Sequence, residues 1–176
     1  MYNYNDLKQS ALKKYFRRMN SCQQDAVFTV NGAVLVLAGA GSGKTTVIVN
    51  RIANMVTFGN AYYNDDTEHI CSEKDMLFLQ NYINDNTDDI ETLKNIIAVN
   101  PVKPWNILAI TFTNKAANEL KSRLSAMLGD EIGNDICAAT FHSACLKILR
   151  REIEKIGYSN NFTIYDSDDS QRVIKS

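Results

Sequence analysis

Apolar residues along this chain follow two different rhythms. Leu7–Met19 predicts a basic amphipathic helix, and residues 23–30 continue as a further helical turn or two. Val34–Leu37 is a short unbroken apolar run that ends in glycines, the pattern of a buried parallel strand. Past Lys44, the apolar positions Val49, Ile52, Ala53 and Val56 fall at helical spacing. A second such unit follows, with a buried strand over Asn106–Thr111 and a helix over 114–128 whose face is Ala117, Leu120, Leu124 and Leu128. A third has a strand over Ile136–Thr140. The helix after it carries Phe141, Ala144, Cys145, Ile148, Leu149, Ile153 and Ile156 on one stripe. Phe162–Tyr165 reads as one more short strand, and Asp168–Ser176 as the start of a helix. Strands alternating with helices predict an α/β fold, a parallel sheet with helices on both faces.

Residues 58–103 break the alternation. They predict two short helices, one from about Ser72 with Leu79, Tyr82 and Ile83, the other with Asp88 as N-cap and Glu91 three residues on. Pro101 and Pro104 stop the helical stretch before the next strand. This segment holds nine acidic residues against three lysines, a net charge of −6, which leaves +5 for the remainder. It reads as an acidic helical insertion in a mildly basic domain spanning 1–176. The overall net charge of −1 argues neither for nor against a nucleic-acid partner.

The length of 176 residues suffices for one core, and 45% hydrophobic with 22% charged residues is the composition of an ordinary globular domain, not a disordered chain. Cys22, Cys71, Cys137 and Cys145 are unevenly spaced without a CxxC pair, so reduced structural thiols are expected. The N-terminus is polar and no apolar run approaches 18 residues, so neither a signal peptide nor a membrane span is expected, and the location expected is cytoplasmic.

The chemistry is concentrated in Ala38-Gly39-Ala40-Gly41-Ser42-Gly43-Lys44-Thr45, which matches G-x-x-x-x-G-K-[ST] except that Ala38 replaces the first glycine. Glycines let backbone N–H groups close around phosphate oxygens, and the following helix points its N-terminus at the same anion. Lys44 is positioned to reach the β- and γ-phosphates and the Thr45 hydroxyl to ligate Mg²⁺; Thr46 completes the set. The predicted strand before and helix after satisfy the context of a phosphate-binding P-loop. Hydrolysis also needs a carboxylate near the metal. Asp166 is the one candidate, but its strand is short and Ser167 follows, so it reads as an ordinary strand-end residue and the catalytic apparatus as incomplete.

Four blocks in this order resemble the UvrD/Rep/PcrA group of superfamily 1 DNA helicases. Asn20–Val27 resembles the adenine-reading Q motif, with Gln23 at the glutamine position. Ala38–Thr45 is the family's own form of the phosphate loop, which accounts for Ala38. Thr111-Phe112-Thr113-Asn114-Lys115-Ala116-Ala117 resembles motif Ia, which lies along single-stranded DNA. Thr140-Phe141-His142-Ser143 resembles the next DNA-contacting block, and Phe162–Asp166 the segment just after it. The resemblance covers about residues 16–57 and 104–176, and the insertion 58–103 is longer than the corresponding link in most relatives.

The resemblance implies a RecA-like P-loop NTPase fold with ATP and Mg²⁺ as cofactors and single- or double-stranded DNA as partner. It implies Gln23 on adenine, residues 38–46 on the phosphates, and Lys44 with Thr45 in catalysis. Phe112 would stack on a base, with Thr113, Asn114, Lys115, Thr140 and His142 as further DNA contacts. Phe112 also fits core packing, Thr113 and Asn114 also fit helix capping, and Lys115 also fits a solvated lysine. The family's DExx block, arginine fingers and second motor domain lie further along such chains. Translocation in the 3′ to 5′ direction is therefore expected of the full-length protein, and neither turnover nor unwinding of this chain alone. An incomplete sheet with uncovered edges and a tendency to self-associate are expected. A helicase–nuclease subunit and a free-standing P-loop nucleotide-binding protein are the alternative readings.

Overall fold

The computed structural model describes residues 3–65, 71–165 and 167–175. Helix α1 spans Tyr4–Tyr15, three residues earlier than the apolar pattern begins, because Asn3 caps it by accepting from the Asn5 N–H. Helix α2, Ser21–Phe28, opens with a reciprocal capping box between Asn20 and Gln23. The phosphate-loop helix α3 spans Lys44–Thr57.

The insertion contributes α4, Glu73–Ile83, and α5, Ile90–Ile97. The N-cap of α5 is Asp89, not the expected Asp88: its carboxylate accepts from the Thr92 N–H at 3.0 Å and from the Thr92 hydroxyl at 2.6 Å. Those bonds hold the Asp89 carboxyl below the usual carboxylate range. A 3-10 turn at Pro104–Asn106 leads into strand β1, Leu108–Thr111. Helix α6 (Asn114–Leu128), the short α7 (Asp130–Asp135), strand β2 (Cys137–Thr140) and α8 (Phe141–Glu152) follow. A 3-10 turn at Ile153–Ile156 ends that helix, and α9 covers Ser167–Lys175.

β1 and β2 pair in parallel with Leu108 opposite Cys137 and Thr111 opposite Thr140. Alternation sends Ala109 and Ala138 toward Leu120 and Leu124 of α6, while Leu108 and Cys137 line a small cavity with Ala144 and Ile148 of α8. Helices thus cover both faces, as expected. The sheet is smaller than expected: Val34–Leu37 and Phe162–Tyr165 are not in any ladder among the described residues. Leu35 and Leu37 are 84% and 87% exposed. An apolar run reports the burial a segment is suited to, and burial on both faces needs flanking strands and covering helices that these two runs do not have here. The stripe of α8 is open for the same reason, with Ala144 buried but Ile148 and Leu149 exposed.

The buried residues form two clusters that share α3. The first joins Leu12, Phe16, Phe28 and Phe58 to Leu79, Tyr82, Leu93 and Ile97 of the insertion helices, with Val47 of α3 at its margin. The second joins Val49 and Ile52 of α3 to Leu120, Leu124, Ile107 and Ile136. The insertion is tied to α1 by polar contacts as well. Tyr4 donates its hydroxyl to the Ile96 carbonyl at 2.9 Å, Lys14 donates to the Tyr82 carbonyl, and Lys14 pairs with Asp85 at 2.7 Å. Its two ends meet at an isolated parallel bridge between Gly59 and Val99. Gly59 has φ +63°, and a Cβ there would lie 2.0 Å from the Val99 carbonyl oxygen, so the closure admits only glycine. All four cysteines are free, and among the described residues no helix is long and apolar enough to cross a membrane.

Candidate functional site

The loop between Val34–Leu37 and α3 turns through two left-handed glycines, Gly41 at φ +75° and Gly43 at φ +80°. Nothing lies within 4 Å of a Cβ built on Gly39 or Gly41, so their backbone faces open space. A Cβ on Gly43 would lie 3.2 Å from the Gln23 amide nitrogen. Gly43 is the N-cap of α3 and gives no side-chain bond, whereas α1, α2, α4, α5, α6 and α8 each have a side-chain oxygen accepting at the N-terminus. The first N–H groups of α3 are left without the side-chain acceptor that those six helices carry, at the positive end of the helix dipole.

Side chains already hold this loop in shape. Ser42 donates its hydroxyl to the Gly39 carbonyl at 2.7 Å. The Lys44 ammonium donates to the Gly39 carbonyl at 2.6 Å and to the Ala38 carbonyl at 3.3 Å, both neutral partners. Gln23 uses both ends of its amide: Oε1 accepts from the Asn20 N–H at 3.1 Å, and Nε2 donates to the Ser42 carbonyl at 3.1 Å. Gln23 and Lys44, together with Ala38, Gly39 and Ser42, line one cavity of about 300 Å³.

Thr45 and Thr46 are exposed in the first turn of α3. Thr46 lines a different, larger cavity of about 700 Å³ along with Lys14, Arg17, Arg18 and Arg123. Most of those cations are already matched, Lys14 and Arg17 by Asp85 and Arg123 by Glu119. The larger space is therefore less suited to an anion than its arginines suggest.

The second set of predicted residues gathers at the carboxyl ends of β1 and β2. In-register pairing brings Thr111 and Thr140 side by side, so the residues after them leave the sheet together. Phe112 is 104% exposed, which rules out core packing for its ring here. Thr113 caps α6 by accepting from the Ala116 N–H at 3.1 Å, and Thr140 caps α8 by accepting from the Ser143 N–H at 3.2 Å. Asn114, Lys115 and His142 are exposed around them. Asp166 lies outside the described residues.

Two contributors were not singled out as functional from the sequence. Asn20 is the partner that orients Gln23, and its signal was legible as an asparagine three residues before a glutamine. Phe141, assigned by periodicity to the apolar stripe of α8, is instead 60% exposed beside Phe112's strand end.

The profile of the UvrD/REP helicase N-terminal domain matches residues 19–66 and 90–176, so besides residues 1–18 the unmatched stretch is 67–89, within the acidic insertion. The ATP-dependent DNA helicase PcrA of Bacillus subtilis (strain 168) is 41% identical over 157 residues, 89% of this chain. The protein of the same name from Staphylococcus epidermidis (strain ATCC 12228 / FDA PCI 1200) is 40% identical over 159 residues, 90% of this chain. That of Staphylococcus aureus (strain NCTC 8325 / PS 47) is 40% identical over 157 residues, 89% of this chain. The chain spans about 16% of the length of these relatives. With the family profile matched over most of its length and the phosphate loop built as described, this chain belongs to the UvrD/REP helicase N-terminal domain family.

Proposed function

We propose that this chain is the ATP-binding N-terminal portion of the motor of an ATP-dependent DNA helicase, acting 3′ to 5′ on DNA in the cytoplasm, with residues 58–103 as an insertion in that motor domain. The observation that carries the reading is the start of α3. Among described helices of eight or more residues whose N-caps are also described, it alone begins at a left-handed glycine without a side-chain cap, directly after the glycine-rich loop. A phosphate supplies the missing acceptor. Lys44 exchanges its two neutral carbonyl partners for phosphate oxygens, a gain because both partners are then charged. Gln23 exchanges the Ser42 carbonyl for the adenine edge, which its donor and acceptor both match.

The donor chemistry present fits magnesium. Thr45 offers one hydroxyl in the first turn of α3, and Mg²⁺ characteristically takes few protein ligands beside phosphate and water. When bound, the ion neutralises charge on the phosphates. The relatives' name, ATP-dependent DNA helicase, supports DNA as the second partner. Phe112, Thr113, Asn114, Lys115, Thr140 and His142, at the ends of β1 and β2, are the residues proposed to meet it.

Titration calorimetry with ADP and Mg²⁺ tests the site. Lys44→Ala removes charge-assisted bonds worth about 1.5–3 kcal/mol each, so binding weakens by at least tenfold. Equal affinity of the wild type and Lys44→Ala overturns the assignment.

A further inference from the structure

We propose that Arg51 is a positioning residue for base recognition: with Asn54 it fastens the C-terminal end of α2 to α3, and so fixes where Gln23, near the other end of α2, meets a purine. The proposal rests on the nucleotide-binding reading of the phosphate loop and names what holds its base-reading side chain in place.

Lys44, Val47, Arg51 and Asn54 follow one another at spacings of three and four and so share one face of α3. That face meets α2. Val47 belongs to the same buried cluster as Val27 and Phe28. The Arg51 guanidinium donates to the Ala26 carbonyl at 2.5 Å and also to the Thr29 carbonyl. Asn54, buried at 2% exposure, donates its amide to the Val27 carbonyl at 3.2 Å and to the Gly59 carbonyl at 3.4 Å. Helix α2 has no basic residue in its own last turn, so the cation at the negative end of its dipole is supplied by α3.

A helix of 8 residues is too short to hold its own place, so what ties its ends decides where Gln23 lies. At the N-terminal end Gln23 itself bonds the Ser42 carbonyl at 3.1 Å, a tie that is given up when the amide turns to a base. Gln24 then still holds α2 to α1 through the Lys13 and Phe16 carbonyls. Among the described residues, the bonds of Arg51 and Asn54 remain as its polar tie to the helix that carries Lys44. A helix of this length spans about 12 Å, so a rotation of about 10° at its C-terminal end moves the other end by about 2 Å. A hydrogen bond does not survive such a shift. Phosphate binding depends on the loop and the start of α3 and does not pass through α2. Loosening the clamp therefore costs base recognition and spares phosphate binding, a split that a general loss of stability does not produce.

Titration calorimetry of the full 176-residue chain with Mg²⁺ and, in turn, ADP, CDP and pyrophosphate tests the proposal, with Gln23→Ala as the reference. The wild type should bind ADP more tightly than CDP by roughly 2- to 12-fold, the worth of about one hydrogen bond. Gln23→Ala should remove that preference. Arg51→Met keeps the apolar stem and removes both donors; it should lose most of the preference with pyrophosphate affinity unchanged. Arg51→Lys keeps a cation near the α2 carbonyls and should fall between Arg51→Met and the wild type. If Arg51→Met does not fold, Arg51→Lys decides. Full preference for ADP in the deciding variant overturns the clamp and leaves the nucleotide site intact. Equal weakening toward all three ligands, or a preference that survives in Gln23→Ala, overturns it as well. A wild type that binds pyrophosphate but does not prefer ADP over CDP overturns base reading by Gln23 and the clamp with it. A wild type that does not bind pyrophosphate overturns the phosphate-loop reading itself.

Discussion

The half of the molecule built by α1, α2, α4 and α5 and the half that carries the phosphate loop and the strand ends treat their large apolar side chains in opposite ways. In the first half Phe28, Phe58, Leu79 and Leu93 are fully enclosed, and Phe16 and Phe28 meet edge-to-face at 5.7 Å. In the second, Leu35, Leu37, Phe112 and Phe141 stand in solvent. Helix caps set α3 apart rather than one half from the other. The helix starts of the first half are capped by side chains, as are α6 and α8 in the second, while α3, which contributes to both cores, begins without a side-chain cap. The closed half is a self-sufficient scaffold, and the open half has surfaces and donors suited to something outside the described structure.

Core truncation should show the contrast most strongly. Leu93→Ala removes a fully buried side chain from an insertion helix and should cost about 2–5 kcal/mol in urea unfolding. Leu37→Ala, at an exposed position, should stay within about 0.5 kcal/mol. If the two cost the same, Leu37 is buried in solution and the division into closed and open halves fails.

A narrower test asks whether the open run associates. Val34–Leu37 is apolar, exposed and outside any ladder among the described residues, the kind of segment that pairs with another copy. Light scattering should show a mass that rises with concentration for the wild type and a monomer for the double variant Leu35→Lys, Leu37→Lys. A wild type that is monomeric throughout the concentration range removes self-association.

Legibility in the sequence also differs between the halves. The phosphate loop was readable because its glycines and lysine are dictated by the anion, and that local chemistry does not depend on what packs nearby. Both paired strands and the faces of α3 and α6 were readable from periodicity, since the strands pair with each other and α3 packs on α6 within the chain. Val34–Leu37 was misjudged as a ladder strand for the opposite reason: its pattern specifies burial, and ladder pairing is a property of two segments. Asp88 and Asp89 show the limit of local reading. Either fits a cap, and the choice fell to Asp89 because Thr92 offers both a backbone and a hydroxyl donor at the right offset. The enclosure of α4 and α5 against α1 was not legible, because contacts such as Tyr4 with Ile96 join residues far apart in sequence.

A subtler test lies at the junction between α1 and the insertion, where the closed half buries an ionisable ring. The Tyr82 hydroxyl is pushed up to about 12, first by burial and then by the charges of Tyr15, Asp88 and Asp85, against a smaller lowering by Arg17. Burial raises Tyr15 in the same direction. A folded-state pKa above the ordinary value of 10.0 means that the unfolded chain releases this proton first. The contribution to stability is then complete below pH 10 and is lost as pH rises through about 12. Urea unfolding across that window should show wild-type stability falling with pH. Tyr82→Phe, which removes the titrating group and keeps the ring, should fall less steeply, with a remaining slope from Tyr15. At neutral pH the same variant should lie within about 1.5 kcal/mol of wild type, since the apolar volume is almost conserved. Identical slopes for the two proteins between pH 10 and 12 would mean that Tyr82 is solvated in solution, and that the insertion does not close over α1 as the structure shows.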